Sequence, residues 1–192
     1  MIYFISDAHI GAPFPDASRW EESLIAFLRS LPDNISVLLI LGDLFDFWIE
    51  YGLAIRADYF NLLHELKKLG ERGIPIHYFA GNHDFAFGPF ITKTLGMSVY
   101  GGDVQTVLQG RHVHLFHGDG LIKRDIGYRA LKTLLRNPVN QAFYKLLPPA
   151  IGIKLASFFS AGSRRAGERF MSEKIVDEYR HHAEVCLRPY GA

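Results

Sequence analysis

Short all-apolar runs alternate with amphipathic stretches along the first 120 residues. Ile2–Ile5 reads as a buried strand feeding the loop Ser6-Asp7-Ala8-His9. Trp20, Leu24, Phe27, Leu28 and Leu31 recur at helical spacing until Pro32 stops the pattern. Val37–Leu41 is all aliphatic, as expected of a strand covered on both faces, and ends at Gly42-Asp43-Leu44-Phe45-Asp46. Leu62, Leu63, Leu66 and Leu69 mark a second helix, closed by Gly70 and Gly73. A third strand, Ile76–Ala80, runs into Gly81-Asn82-His83-Asp84. Val104–Leu108 and His112–Phe116 flank Gly110 as two further strands, the last ending at His117-Gly118-Asp119. The alternation predicts an α/β sandwich with a mixed sheet. Polar residues gather directly after the strands' C-terminal ends, where open α/β sheets place their ligand crevices.

From Asp125 onward the pattern is helical only. Tyr128, Leu131, Leu134 and Leu135 form one stripe, broken by Asn137-Pro138. Val139, Ala142, Phe143, Leu146 and Leu147 form a second, broken by Pro148-Pro149, and Ile151, Leu155, Phe158 and Phe159 a third. Three short helices without strands read as an insertion or cap. Glu173 to Leu187 is a last helical pattern. No repeat or low-complexity tract interrupts the chain.

Composition narrows the class. An apolar fraction of 48% over 192 residues suffices for a buried core, and 14% aromatic residues argue against a disordered chain. The single cysteine, Cys186, rules out an internal disulfide and fits a reducing compartment. Met1–Ile5 has no basic leader, so a secretory signal is not expected, and no apolar run reaches the length of a membrane span. A cytoplasmic protein is expected, with no nucleic-acid partner. Net charge is +1 but unevenly placed: residues 1–120 hold 8 Lys/Arg against 14 Asp/Glu, and residues 121–192 hold 13 against 6. An acidic half followed by a basic half fits metal binding and then an anionic partner; a solvated helical surface accounts for the basic half equally well.

The chemistry lies in the strand-end loops. Asp7 and His9 are two apart on a segment read as extended, which points both side chains to one side. A carboxylate and an imidazole there suit manganese, iron or zinc. Asp43 ends the next strand, where its carboxylate could bridge two ions. Asn82 offers an amide oxygen and His117 an imidazole, each from another strand end. Two ions about 4 Å apart would clamp a phosphate and activate a water. Singly, each signal is ordinary: Asp-x-His is a common cap and surface pair, and Asn-His-Asp after glycine is ordinary turn chemistry. Four strand ends in order, each carrying ligand types, are specific.

Asp7-Ala8-His9, Gly42-Asp43-Leu44-Phe45-Asp46, Gly81-Asn82-His83-Asp84 and His117-Gly118-Asp119 resemble the successive signature blocks of the calcineurin-like phosphoesterases. The resemblance implies a metallophosphoesterase sandwich with a helical cap insertion: a core over 1–122, a cap over 123–170 and a return helix over 171–192. It implies two divalent ions, with manganese first and iron or zinc as alternatives. Asp7 and His9 would hold the first ion, Asp43 would bridge, and Asn82 and His117 would hold the second. His83 would act beside Asn82 at the scissile phosphate, stabilising charge or protonating the leaving group. Asp84 would orient His83 or be purely structural. Within the family the chain is most similar to the UDP-2,3-diacylglucosamine diphosphatases of lipid A biosynthesis, in the form seen in the Bacteroidetes and Chlorobi lineages. That similarity rests also on Leu44-Phe45-Asp46-Phe47-Trp48 and Leu134-Leu135-Arg136-Asn137-Pro138. It implies a lipid-linked UDP-sugar substrate, cleaved to UMP and diacylglucosamine 1-phosphate (lipid X). Asp125, Tyr128 and Arg129 would bind it. Lys123, Arg124, Arg129 and Lys132 would meet phosphates or an anionic face of the inner membrane, in peripheral contact. Leu131, Leu135, Phe143, Leu147, Phe158 and Phe159 would border an acyl groove, although core packing explains most of them.

Two departures stand out. The enterobacterial form carries Arg where this chain has His83. The family ends its site with a Gly-His-x-His block that this chain does not contain, leaving five of seven expected ligands. His181 and His182 are adjacent on a helical pattern, point about 100° apart, and read as surface residues. The ending at Arg188-Pro189-Tyr190-Gly191-Ala192 suggests a chain cut short before its last ligands. Two other readings follow: a phosphatase or phosphodiesterase of other specificity, which would need an open site, and an inactive relative that binds only metal or lipid.

Overall fold

The computed structural model describes residues 1–51, 54–121, 126–156 and 173–187. The chain divides into two compact units, Met1–Asp103 and Val104–Ala192. In the first, β1 (Ile2–Ile5), α1 (Ala17–Ser30), β2 (Val37–Ile40), β3 (Trp48–Ile49), α2 (Phe60–Glu71), β4 (Ile76–Phe79), β5 (Asp84–Ala86) and β6 (Ser98–Tyr100) follow in order. Four of these strands form a parallel sheet in the order β1-β2-β4-β6. Its register sets Ile5 against Ile40 and Ile40 against Tyr78. β3 and β5 form a separate parallel pair, Trp48 opposite Asp84.

The sheet is parallel because its neighbours are joined by helical crossovers rather than tight turns. On β2, Leu38, Leu39 and Ile40 are all buried, so both faces are covered as the aliphatic run predicts. Alternating residues Leu38 and Ile40 of β2, with Ile76 and Tyr78 of β4, join Ile25 and Leu28 of α1 and Leu62 and Leu66 of α2 in one core. Gly70 lies inside α2, and Gly73, at φ 78, follows its end. Trp20 departs from its stripe: it is 51% exposed, and its indole N–H donates to the Ala8 carbonyl at 2.9 Å.

In the second unit, β7 (Val104–Leu108) and β8 (Arg111–Leu115) form an antiparallel hairpin. Gln109 and Gly110 connect them, both at positive φ (51 and 78), which matches the right-handed strand twist. Among the described residues the strands form two all-parallel sheets and this antiparallel hairpin, in place of the expected mixed sheet. α3 (Ile126–Arg136) and α4 (Pro138–Lys145) follow. Asn137 separates them by capping α4, its side chain accepting from the Val139 N–H at 2.9 Å with Pro138 in the first turn. Residues 149–156 are helical (α5), and α6 spans Glu173–Leu187.

The helical periods are as predicted, but the stripes are not core. Neither α3 nor α4 has a buried residue; Leu131 and Phe143 are exposed, Leu135 and Leu147 half-buried. Phe158 and Phe159 lie outside the described residues, as do Lys123, Arg124 and Asp125. Among the described residues, no helix is long and apolar enough to cross a membrane.

Candidate metal centre

Backbone pairing brings the first two loops together. The Asp7 N–H donates to the Gly42 carbonyl at 3.1 Å, His9 to Asp43 at 2.9 Å and Ile10 to Leu44 at 2.9 Å. Asp46 returns the pattern to Ile10 at 2.9 Å. Along this zipper Asp7 (φ 53), His9 (φ 45) and Asp43 (φ 52) are all left-handed. The extended reading of Asp7–His9 is therefore corrected: β1 ends at Ile5, and the ligand residues sit on a turning backbone. Asp and His tolerate this region better than bulkier residues do.

The turn still converges the side chains. Asp7, His9 and Asp43 each offer a ligand atom, and these atoms lie within 4.8 Å of one another. His9 Nε2 is 3.7 Å from Asp43 Oδ2. Two carboxylates and an imidazole at that spacing form a donor set for a borderline-hard divalent ion. His9, Asp46 and His83 form a second such group. The Asp43 carboxylate is buried, and its other oxygen, Oδ1, accepts the His83 N–H at 2.9 Å. Gly81 permits this approach: a Cβ there would meet Asp43 Oδ1 at 2.0 Å.

His83 is held from two sides. Its Nδ1 lies 2.8 Å from the Asp46 carbonyl oxygen. A carbonyl only accepts, so Nδ1 carries the proton and the ring's lone pair is on Nε2. The ring packs edge-on to His9, with centroids 4.9 Å apart. The Asp46 carboxylate comes within 3.9 Å of Nδ1. Asp84 does something else. Its Oδ1 accepts from the Asp43 N–H at 2.9 Å and the Gly81 N–H at 3.0 Å; its Oδ2 accepts from Phe45 at 3.2 Å and from the Tyr78 hydroxyl. Asp84 thus ties the loop after β2 to the loop after β4. Burial, then the Asp43 carboxylate, push its carboxyl up to about 7, against the opposing pull of the Tyr78 hydroxyl and the Asp43 and Phe45 N–H groups.

Asn82 lies half-buried between Gly81 and His83 on the loop after β4. His117 belongs to the second unit, where it follows β8. Tyr128, on α3, donates its hydroxyl to Asp119 Oδ2 at 2.9 Å. Lys132 Nζ reaches the same oxygen at 2.7 Å, so its charge is paired, while Arg129 is exposed. His181 is exposed as expected; His182 instead packs its ring edge-on to Phe116. Two contributors escaped sequence reasoning. Asp46 carried a signal, its place in the Gly-Asp-Leu-Phe-Asp block; Tyr78 carried none beyond being apolar in a strand.

A model of the calcineurin-like phosphoesterase family matches residues 1–181. The chain belongs to this family. Calcineurin-like phosphoesterases use a dinuclear metal site, and the clustered carboxylates and imidazoles of this member offer candidate ligands for it. The chain is 34% identical over 172 residues to a UDP-2,3-diacylglucosamine hydrolase of Porphyromonas gingivalis, covering 88% of this chain and 65% of that protein. Proteins of the same name from Pseudomonas putida and Pectobacterium carotovorum are 33% and 31% identical. Those matches cover 100% and 97% of this chain, and 78% and 76% of the relatives. The chain thus spans about two thirds to three quarters of its relatives' length.

Proposed function

We propose that this phosphoesterase hydrolyses the pyrophosphate bond of UDP-2,3-diacylglucosamine, releasing UMP and 2,3-diacylglucosamine 1-phosphate. The observation that carries the reading is the convergence of Asp7, His9 and Asp43 at the ends of β1 and β2, in a chain whose relatives bear that substrate's name. Asp7, His9 and Asp43 would hold divalent metal, manganese in the first instance, with Asp43 shared between two ions. Asn82 and His117 complete the set on the sequence resemblance alone. When bound, the ions supply positive charge for the phosphate oxygens and acidify a water. Hydrolysis would join a water oxygen to one phosphorus as the P–O–P bridge breaks, with the departing phosphate taking up a proton. His83 suits that transfer: the Asp46 carbonyl fixes Nδ1–H, so Nε2 gives or receives the proton. Substrate contacts are assigned to Asp125, Tyr128 and Arg129. The cap would act at the cytoplasmic face of the inner membrane, in peripheral contact.

The test is turnover by the full chain with manganese, on this substrate and on bis-p-nitrophenyl phosphate, with metal content measured alongside. Release of UMP at a kcat/KM well above that for the simple diester supports the assignment. Equal activity on both sinks the substrate; less than one bound ion per chain with no turnover sinks the enzyme.

A further inference from the structure

We infer that Tyr78 is a positioning residue for the candidate metal centre, acting through Asp84 on the loop that carries Asp43. The inference rests on the metal reading above and adds a residue outside the ligand set. Tyr78 sits on β4 with its ring in the apolar core, fully buried. A phenylalanine would fill that space equally well, and a buried hydroxyl costs free energy unless it is hydrogen-bonded. The Tyr78 hydroxyl has its bond, to Asp84 Oδ2.

That bond closes a lock. Each Asp84 oxygen takes two donors: Oδ1 the N–H groups of Asp43 and Gly81, Oδ2 the N–H of Phe45 and the phenol. With all four in place the carboxylate cannot turn about its last bond. Without the phenol, Oδ2 keeps only the Phe45 N–H, the longest of the backbone contacts at 3.2 Å. Rotation would then release Asp43 and Gly81 from their shared acceptor. The tolerance there is small, because Gly81 stands so near Asp43 Oδ1 that even a methyl group would overlap it. The same Asp43 oxygen receives the His83 N–H, so a loosened loop displaces the shared carboxylate and the acid–base ring together.

Groups that orient metal ligands from behind cost about 10- to 100-fold in metal affinity when removed. The experiment is calorimetric titration of manganese into the wild-type chain, Tyr78→Phe and Tyr59→Phe, with thermal melts of each without metal. Tyr59 is the control: it is an equally buried tyrosine of the same core, but its hydroxyl donates to the Phe47 carbonyl, at 3.2 Å. Tyr78→Phe is expected to bind manganese at least tenfold more weakly than wild type, with Tyr59→Phe keeping wild-type affinity whatever its melting temperature. Wild-type affinity in Tyr78→Phe overturns the inference, as does an equal loss in both variants, which would mark a general effect of core hydroxyls. Failure of the wild type itself to bind manganese overturns the metal reading, and this inference with it.

Discussion

Asp7, His9 and Asp43 are three of the five non-glycine residues at positive φ among the described residues. Each left-handed L-residue costs about 1–2 kcal/mol relative to an ordinary backbone, and Asp7 and Asp43 also bring two negative charges together. The site is therefore a place where stability is given up for convergence, a common arrangement at functional residues. Asp7 is exposed, so replacing it removes no core packing. Asp7→Gly should raise the stability of the metal-free chain by about 1 kcal/mol and abolish the rise in melting temperature on adding manganese. A destabilised variant that still responds to metal would contradict both halves of that argument. With Nδ1 engaged by the Asp46 carbonyl, His83 has Nε2 for either proton transfer or a metal ion, and substitution separates the two roles. His83→Ala should lower turnover by about 10²- to 10⁴-fold while metal content stays at the wild-type level. Loss of metal in that variant would make His83 a ligand instead.

At the scale of elements, α1 and α2 are joined through one charged residue as well as through their leucines. Glu65 of α2 is buried and accepts from Arg29 of α1 at 2.8 Å and from Lys68 at 3.4 Å. The Arg29 hydrogen bond leads the causes that hold its carboxyl below the ordinary glutamate value of 4.5. A carboxyl depressed in the folded state stabilises the fold above its unfolded pKa, and that contribution is lost as the pH falls through the folded one. Glu65→Gln should thus melt lower than wild type near neutrality, and the gap should close on acidification below the ordinary glutamate range. A gap constant from neutral to acid pH would show that shape rather than charge is at work. α2 was legible because its leucines repeat at helical spacing, and β2 and β4 because short, mainly apolar runs end at glycine-bearing loops. β3, β5 and β6 were not: they are two or three residues long, and β5 opens with Asp84, which reads as turn chemistry. The ligands Asp7, His9 and Asp43 could be named from residue type, but their left-handed backbone could not. Nor could the role of Asp84, because three of its four partners are main-chain N–H groups that no side-chain pattern reveals.

At the scale of the molecule, the second unit keeps apolar side chains in solvent where the helical period led to an expectation of core. Period establishes that a helix has an apolar face, not what covers it. Phe143 is 65% exposed and Leu146 78%, with Leu134, Val139 and Ile151 also exposed nearby in sequence. Soluble surfaces rarely carry such apolar side chains in groups without a partner, and residues 121–192 add 13 Lys/Arg against 6 Asp/Glu. Exposed apolar side chains in a segment with excess positive charge suit an acylated, anionic ligand better than a water-soluble diester. Burying a Phe or Leu side chain is worth about 1.5–3 kcal/mol, so covering even part of both by acyl chains should be visible in binding. Phe143→Ser combined with Leu146→Ser is expected to raise KM for UDP-2,3-diacylglucosamine at least about tenfold, since each tenfold step corresponds to about 1.4 kcal/mol. Hydrolysis of bis-p-nitrophenyl phosphate should be unchanged, and so should the melting temperature, because neither side chain is buried in the fold. A fall in both activities would mean that the helices support the metal centre rather than the lipid. An unchanged KM for the acylated substrate would remove these two side chains from lipid recognition altogether.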